Sequence, residues 1–240
     1  MTSIRFAQIR KTPRRADHQL HTMVAPAPSE TLRRALNVSV AAVGIILTAP
    51  LMAAIALLIK VTSRGPVLYS QTRVGLDRRA QGQPAGNNRR DTDCGGKPFT
   101  IYKFRTMTRN GDGSDGEVWA VPDDPRVTPL GRILRLYRLD ELPQLINVLR
   151  GDMNVVGPRP EQPTIFARLR QQIERYHERQ RVRPGITGWA QVNLRYDTSL
   201  DSVRKKIDYD LEYLARQSVL EDLRIMLRTL PVIIFKRGAW

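Results

Sequence analysis

Two adjacent carboxylates, Asp140 and Glu141, stand directly before a run of apolar residues with helical spacing. The run has the i, i+3, i+4, i+7 pattern of one helix face and comprises Leu142, Leu145, Ile146 and Leu149. We expect Asp140 at or near the helix N-terminus, where unpaired N–H groups and the helix dipole favour an anion. Paired carboxylates there can attack phosphorus or hold a metal ion. An Asp before a helix is also a common N-cap, so a structural role stays open.

A single arginine, Arg159, follows this segment between two prolines, Pro158 and Pro160. Proline restricts the backbone, so the guanidinium is presented from a stiff turn. A guanidinium offers a planar fork of donors that matches two phosphate oxygens. The alternative is a rigid turn that binds no ligand. Together with the two carboxylates, Arg159 points to chemistry on phosphate groups.

The segments LDELPQLINVLRGDM (139–153) and VGPRPE (156–161) resemble the central signature of the bacterial sugar transferase family, the monotopic phosphoglycosyl transferases. The resemblance covers roughly residues 35–236 and is interrupted mainly at 76–96. It implies transfer of a sugar 1-phosphate from a nucleotide-diphosphate sugar, in the first place a UDP-sugar, to a polyprenyl phosphate such as undecaprenyl phosphate. UMP would be released, in the first membrane step of glycoconjugate or exopolysaccharide synthesis.

The resemblance also implies roles for individual residues. Asp140 would attack the phosphorus next to the sugar and hold the sugar phosphate as an acyl phosphate, and Glu141 would assist, for example as a base. A Mg²⁺ ion would neutralise the diphosphate, with Asp140 among its ligands. The side chains implied in binding phosphate and substrate are Lys103, Arg105, Arg135, Gln144 and Arg159. A catalytically silent, membrane-anchored scaffold of the same fold is the alternative, and the intact carboxylates and Arg159 argue against it.

Charge is distributed unevenly along the 240 residues, which carry a net charge of +16. The net charge is +5 over residues 1–34, zero over 35–59, +8 over 60–110 and +3 over 111–240. Most of the excess therefore flanks one uncharged apolar segment, as expected at an anionic membrane surface. A nucleic-acid module would more often interleave its basic face with stacking aromatics, which make up only 6% of this chain. We therefore expect phospholipid, and not nucleic acid, as a partner.

The uncharged segment, residues 35–59, is long enough to span a bilayer core of about 30 Å. Pro50 lies past its middle and removes a helix hydrogen bond. Two arginines precede the segment, and Lys60 and Arg64 follow it, so the positive-inside rule places both flanks in the cytoplasm. These features predict a re-entrant helix hairpin broken at Pro50. A kinked span and a buried core helix stay open. The family breaks its membrane helix at a Ser-Pro pair, where this chain has Ala49 before the proline.

The rest of the chain mixes strand-like and helix-like segments, which predicts an α/β fold that is rich in helix and has a small sheet. Strands are expected at 67–69 and 97–107, and helices at 163–181, 201–214 and 220–235. Lys103 and Arg105 would share one face of the second strand as a cationic wall. The helix at 163–181 is amphipathic and basic, which suits either a core or a membrane interface. The last helix ends like an interfacial anchor.

We divide the chain into a basic flexible tail (1–34), a re-entrant membrane helix (35–60) and a catalytic domain on the cytosolic face (61–240) with an inserted loop (76–96). The one cysteine, Cys94, suits a reducing compartment, and the three histidines are scattered, so no Cys/His metal cluster is expected. The expected location is the cytoplasmic face of a bacterial inner membrane. A homodimer is left open.

Overall fold

The computed structural model describes residues 30–77, 95–108, 124–194 and 200–234, which form a mostly helical fold with two small sheets. The helix-rich class with little sheet is therefore confirmed. The helices are α1 (Glu30–Thr62), α2 (Pro129–Leu136), α3 (Gln144–Arg150), α4 (Pro163–Gln172), α5 (Trp189–Asn193), α6 (Leu200–Arg216) and α7 (Val219–Ile234). The strands are β1 (Leu68–Val74), β2 (Pro98–Phe104), β3 (Asn154–Val156) and β4 (Gly185–Thr187). Two 3₁₀ turns cover Leu139–Glu141 and Tyr176–Arg181.

Helix α1 begins five residues before the predicted membrane segment, because its first two turns are held by contacts with the rest of the protein. Glu30 accepts a hydrogen bond from Arg183, and Arg34 donates to the carbonyl of Val148 at 2.6 Å. The remainder of the predicted tail, residues 1–29, lies outside the described residues. The same holds for most of the predicted inserted loop, since residues 78–94 are not described.

Pro50 lies inside α1, which the structure gives as one helical element. Proline cannot donate to the carbonyl four residues earlier. Two residues before it, the hydroxyl of Thr48 donates to the carbonyl of Gly44 at 2.7 Å, a side-chain bond of the kind that bends helices. Among the described residues, α1 is the one helix that is long and apolar enough, by length and composition, to cross a membrane.

The two arms of α1 on either side of Pro50 both pack on the protein, whereas the middle does not. The buried residues are Asn37 and Ala41 before the proline and Ile55 and Ile59 after it. Between them the helix is exposed: Ile46 and Leu47 are 72% and 74% accessible. The other large exposed apolar residues of α1 are Leu32, Val43, Leu51, Leu57, Leu58 and Val61. So large an exposed apolar surface marks an interaction with membrane or protein.

Strands β1 and β2 form an antiparallel ladder in which Lys103 pairs with Tyr69. Strand β2 lies within the predicted segment 97–107, and β1 is longer than predicted because pairing with β2 carries it to Val74. The apolar side chains of β2 alternate, as the sequence indicated: Phe99 and Ile101 are buried in a cluster shared with α3 and α1. This cluster fixes the sheet against the helix that follows the two carboxylates.

Strands β3 and β4 are short and parallel, with Val156 opposite Thr187. Their close approach requires glycine. A Cβ atom added to Gly185 would lie 2.1 Å from the backbone nitrogen of Gly157. The pairing holds the chain in place directly before the turn that carries Arg159.

The helix predicted at 163–181 is confirmed over its first part only. Helix α4 ends at Gln172, and Arg175 takes a left-handed φ of 60° that starts the second 3₁₀ turn. Its apolar face lies in the core, in a cluster formed by Val74, Ile165, Phe166, Leu169, Ile173, Tyr176, Val203 and Ile207. Of the two roles that the sequence left open for this segment, the structure selects the core.

Helices α6 and α7 match the predicted ranges within two residues at each end. Helix α7 buries Ile225 completely and leaves a stripe of leucines exposed, made up of Leu220, Leu223, Leu227 and Leu230. Arg224 and Arg228 border this stripe and lie 6.0 and 5.0 Å from the ring centre of Trp189. Such an apolar face with arginines beside it suits a membrane interface.

The N-terminal end of α1 is fastened to α6 and α7 by Arg33. Its guanidinium donates to the carboxylate of Asp222 at 2.9 Å, to the hydroxyl of Tyr213 at 2.6 Å and to Gln217 at 2.5 Å. The Tyr213 hydroxyl in turn donates to the second Asp222 oxygen at 2.7 Å. Asp222 is fully buried. The carboxylate thus depends on Arg33 for its counter-charge.

We expect Arg33→Met to lower the free energy of unfolding by about 3 kcal/mol, because it leaves the buried Asp222 carboxylate without its cation. The double variant Arg33→Met/Asp222→Asn removes both charges and should recover much of this loss. Denaturant titration in detergent, followed by circular dichroism, measures both. Equal losses in the single and double variants would contradict the assigned ion pair.

Candidate active site

Asp140 and Glu141 lie in the 3₁₀ turn between α2 and α3 and are only 8% and 6% exposed. Arg138 enters this turn with a left-handed φ of 55°. The regular helix α3 starts four residues after Asp140. Pro143 has no N–H, so it cannot donate the α-helical hydrogen bond to the carbonyl of Leu139. At the other end Gly151, with φ 84°, ends α3, because glycine adopts the left-handed conformation of a helix C-cap without steric cost.

Glu141 is the centre of a buried ion cluster. Its Oε1 accepts hydrogen bonds from Nζ of Lys103 at 2.8 Å and from the guanidinium of Arg159 at 2.7 Å, and its Oε2 lies 3.5 Å from the same guanidinium. Burial alone would raise the pKa of Glu141, but the charges of Arg159 and Lys103 outweigh it and hold the pKa well below the ordinary value. Glu141 is therefore a permanent anion that positions two cations.

Asp140 is in a different state from its neighbour. Among the described residues no hydrogen bond or ion pair engages its carboxylate. Burial raises the pKa of Asp140, the charge of Lys103 opposes this rise, and the charge of Glu141 adds to it. An anion that is desolvated and has no direct partner is a good nucleophile or ligand, since its lone pairs are available. The two adjacent carboxylates therefore differ in role.

Arg159 is positioned from behind by its own backbone. The carbonyl of Arg159 accepts a hydrogen bond from the guanidinium of Arg179 at 2.9 Å, and Arg179 is fully buried. Arg179 also lies 2.9 Å from Asp210, and Glu161, the last residue of the turn, pairs with Lys206 at 3.2 Å. This buried network fixes the turn, which leaves the Arg159 side chain directed at Glu141.

Arg73 is a functional candidate that the sequence reasoning missed. It lies on β1, its guanidinium donates to the carbonyl of Pro160 at 3.2 Å, and it is close enough to Glu141, Arg159 and Glu161 for their charges to act on it. Its Nε is buried and has no hydrogen-bond partner among the described residues. Burial lowers the pKa of Arg73. The sequence offered no signal for it, because the predicted strand ended at residue 69.

Two predicted phosphate-binding residues lie outside the ion cluster. The guanidinium of Arg105 donates to the carbonyls of Arg64 and Ser63 at 2.7 and 2.9 Å, so it caps the end of α1. The predicted cationic wall therefore consists of Lys103 without Arg105. Arg135 donates to the hydroxyl of Thr106 at 3.0 Å, and its positive charge opposes the rise in the pKa of Asp140 that burial causes.

Gln144, the remaining predicted substrate-binding residue, is 1% exposed in the first turn of α3. Its Nε2 is buried and has no hydrogen-bond partner in the described residues. A buried amide donor that is left unpaired costs free energy unless something satisfies it. Its place four residues after Asp140 keeps Gln144 a candidate for a contact made only with substrate.

No group of three or more metal-binding side chains occurs among the described residues. A Mg²⁺ ion does not require one, because it is commonly held by one or two carboxylates, several waters and the phosphates of the substrate. Within the described ranges, no ion pair engages the carboxylate of Asp140, whereas Glu141 is bound by Lys103 and Arg159. The donor set therefore fits a Mg²⁺ ion that binds together with a diphosphate.

The chain is similar to a known protein family and to several named enzymes. Residues 28–236 match the family model described as Bacterial sugar transferase. A UDP-N-acetylgalactosamine-undecaprenyl-phosphate N-acetylgalactosaminephosphotransferase of Aeromonas hydrophila is 38% identical over 93% of this chain and 48% of its own length. A UDP-glucose:undecaprenyl-phosphate glucose-1-phosphate transferase of Escherichia coli K12 is 40% identical over 82% of this chain and 39% of its own length. A protein of the same name from Caulobacter vibrioides is 42% identical, over 87% and 72%. The chain spans less than half of the first two relatives.

The depressed pKa of Glu141 predicts a loss of stability in acid. Its carboxylate contributes stability above the ordinary pKa of 4.5, and this contribution disappears as the pH falls through the lower pKa of the folded state. The difference in free energy of unfolding between wild type and Glu141→Gln should therefore be largest near neutral pH and shrink below 4.5. Urea titrations at several pH values measure it. A difference that does not change with pH would show that Glu141 is not held as an anion.

Proposed function

Because the chain belongs to the bacterial sugar transferase family, we propose that it transfers a sugar 1-phosphate from a UDP-sugar to undecaprenyl phosphate and releases UMP. The observation that carries this proposal is the pair of unequal carboxylates. Asp140 has no partner among the described residues, and beside it Glu141 is held between Lys103 and Arg159. The names of the relatives support both substrates. The reaction would load the first sugar phosphate in exopolysaccharide or other glycoconjugate synthesis.

The reaction proceeds in two displacements on one phosphorus atom. A carboxylate oxygen of Asp140 attacks the phosphorus that bears the sugar, and the bond from that phosphorus to the bridging oxygen breaks, so that UMP leaves with the electron pair. The sugar phosphate is now joined to Asp140 as an acyl phosphate. A phosphate oxygen of undecaprenyl phosphate then attacks the same phosphorus and releases Asp140. A carboxylate nucleophile thus divides one transfer into two easier steps.

Glu141 acts in this scheme by placing positive charge. With its pKa held low and its oxygens bound by Lys103 and Arg159, it is a poor base and a good anchor. The two cations stand beside Asp140, where charge develops on the equatorial phosphate oxygens. Arg73, which is close enough to Glu141 for their charges to interact, is a further cation near this group. We therefore assign Glu141 a positioning role in place of the base suggested by the resemblance.

Mg²⁺ is the proposed cofactor, with Asp140 as its protein ligand. When bound, it would neutralise the diphosphate of the donor and so favour departure of UMP. The chain's own contribution is a carboxylate that no cation of the described residues occupies. Burial raises the pKa of this carboxyl, and the charges of Lys103, Arg159 and Arg135 oppose that rise.

For α1 we propose a re-entrant membrane helix. A straight helix of 33 residues would be about 50 Å long and would place its ends on opposite sides of a bilayer. Yet Arg33 at one end is bound to α7, and the other end receives hydrogen bonds from Arg105. Both anchors belong to the small domain that carries the site. This arrangement supports a hairpin turned back near Pro50, which keeps both ends on the cytoplasmic face of the inner membrane.

Phospholipid is the further partner that we propose, at two surfaces. One is the exposed middle of α1, and the other is the leucine stripe of α7 with Arg224 and Arg228 beside it. Apolar side chains would enter the acyl region while the arginines meet anionic headgroups. A homodimer stays a prediction from the sequence.

The chemistry is tested by Asp140→Asn, which keeps the shape of the side chain and removes the nucleophile. Wild-type protein in detergent should release UMP from at least one member of a panel of UDP-sugars, and a donor labelled in its sugar phosphate should label the protein. We expect at least a thousandfold loss of turnover and no label in Asp140→Asn, in line with loss of a covalent catalyst. Asp201→Asn, at an exposed site, is the matched control.

A folded Asp140→Asn variant that still becomes labelled would place the nucleophile elsewhere. A wild-type protein that binds the substrates and releases no UMP would favour the catalytically silent scaffold.

The proposed topology predicts that both ends of α1 lie on the cytoplasmic side. Single cysteines introduced as Leu32→Cys and Asp201→Cys, in a Cys94→Ser background, should both stay unlabelled when intact cells are treated with an impermeant thiol reagent. Both should react after the cells are lysed. Labelling of Leu32→Cys alone in intact cells would establish a full span and exclude the hairpin.

A further inference from the structure

A cavity of about 140 Å³ lies next to the two carboxylates, between the α2–α3 turn, α5 and α7. Its walls are mostly apolar and are formed by Leu142, Leu145, Ile186, Val192, Val232 and Ile233. Neither Asp140 nor the cations Lys103 and Arg159 line it. It is therefore a separate compartment that shares one wall with the candidate active site.

The polar end of the cavity is the shared wall. Glu141 and Arg138 line it there, and the left-handed conformation of Arg138 brings this side chain to the start of the 3₁₀ turn. The charge of Arg138 is near enough to contribute to the low pKa of Glu141. A ligand in the cavity would thus have its polar end beside the carboxylate pair and its apolar part among α3 and α7.

The remaining polar groups of the lining mostly satisfy one another. The hydroxyls of Thr187 and Thr229 share a hydrogen bond of 2.8 Å, and the amide of Gln191 donates to the carbonyl of Ile186 at 2.9 Å. Only the side-chain oxygen of Gln191 is buried without a partner among the described residues that line the cavity. One acceptor is too few for a sugar or a nucleobase, which need several polar partners when they are buried.

We propose that this cavity binds the first isoprene unit of the lipid acceptor, the five carbons attached to its phosphate. The inference rests on the proposed function, which requires a polyprenyl phosphate to reach Asp140. The size agrees, because an apolar cavity of about 150 Å³ accommodates a six-carbon ring. With that unit in the cavity, the lipid phosphate lies at the end formed by Glu141 and Arg138.

The same helix, α7, would connect the cavity with the membrane surface. Val232 and Ile233 line the cavity from α7, and the opposite face of the same helix carries the exposed stripe that includes Leu227 and Leu230. The long chain can leave the cavity past α7 and join the bilayer in which that stripe lies. The cavity thereby selects an isoprenoid by its branched first unit and leaves the number of further units unrestricted.

A pair of tryptophan variants tests this assignment. Val232→Trp fills the cavity, whereas Leu200→Trp adds a tryptophan at an exposed position of α6, outside the cavity and outside both proposed membrane surfaces. We expect Val232→Trp to raise KM for undecaprenyl phosphate at least tenfold, while KM for the UDP-sugar and the burst of UMP released without acceptor stay within twofold of wild type. Leu200→Trp should change none of these. An unchanged acceptor KM in Val232→Trp, or equal changes for donor and acceptor, would overturn the proposal.

A second measurement needs neither activity nor a large substitution. Val232→Cys is nearly isosteric, and in a Cys94→Ser background it is the one thiol of the chain. Undecaprenyl phosphate in detergent micelles should slow its alkylation by N-ethylmaleimide at least fivefold, and undecanol at the same concentration should not. Leu200→Cys, at an exposed position outside the cavity and both proposed membrane surfaces, should show no such protection. Equal protection by both additives, or by neither, would refute the site even if the wild-type protein proves to be an active transferase.

The two arms also separate this inference from the proposed function. If wild type releases no UMP from any UDP-sugar but Val232→Cys is protected, the lipid site stands and the transfer reaction falls. If UMP is released and labelling of Asp140 occurs without protection at Val232, the reaction stands and the acceptor binds elsewhere.

Discussion

The arrangement of the site depends on one buried carboxylate, Glu141, and the two cations that it holds. An anion in a low-dielectric interior is stable only with close, hydrogen-bonded counter-charges. Lys103 comes from the first sheet and Arg159 from the turn after β3, so their shared bond to Glu141 joins three parts of the chain. Removing either cation would leave a buried charge under-compensated. The interaction therefore determines both the local packing and the electrostatic field around Asp140.

The same constraint explains why two adjacent carboxylates can do different work. Glu141 binds both cations, and Asp140 is desolvated with no direct partner in the described part of the chain. Burial raises the pKa of Asp140, whereas the charges of Arg159 and Lys103 outweigh burial at Glu141 and lower its pKa. Separation of this kind is a general way to obtain one reactive and one structural acid from a pair.

A second layer of buried charge supports the first. Arg179 is completely buried, and its bonds to Asp210 and to the carbonyl of Arg159 connect α6 to the turn. Arg105 binds the carbonyl of Ser63, directly after α1, and Arg33 joins the beginning of α1 to Asp222 of α7. Arginine is suited to these positions because its five donors can satisfy several acceptors at once. Several arginines of this chain therefore stabilise packing between elements.

The sequence by itself was sufficient for the chemistry-bearing segment, the family and the helix-rich class. Two local features identified that segment: adjacent acidic residues before an apolar helical pattern, and an arginine between prolines. Both can be recognised without knowledge of the tertiary structure. Periodicity likewise predicted β2, α6 and α7, because their exposed and buried faces follow from the spacing of side chains alone. The end of α3 at Gly151 is also a local feature, since glycine favours the left-handed conformation that ends a helix.

Only the tertiary structure decided which charges meet. The sequence placed Lys103 and Arg105 on one face of a strand. In the structure Lys103 binds Glu141, whereas Arg105 binds Ser63, directly after the end of α1. Arg73 gave no signal of its own, since its neighbours come from the turn near 160. The sequence also left open whether the amphipathic segment at 163–181 packs on the core or lies in a membrane interface. The structure shows that its apolar face packs in the core. Such pairings join residues that are far apart in the chain, so the spacing of residues along the sequence does not predict them.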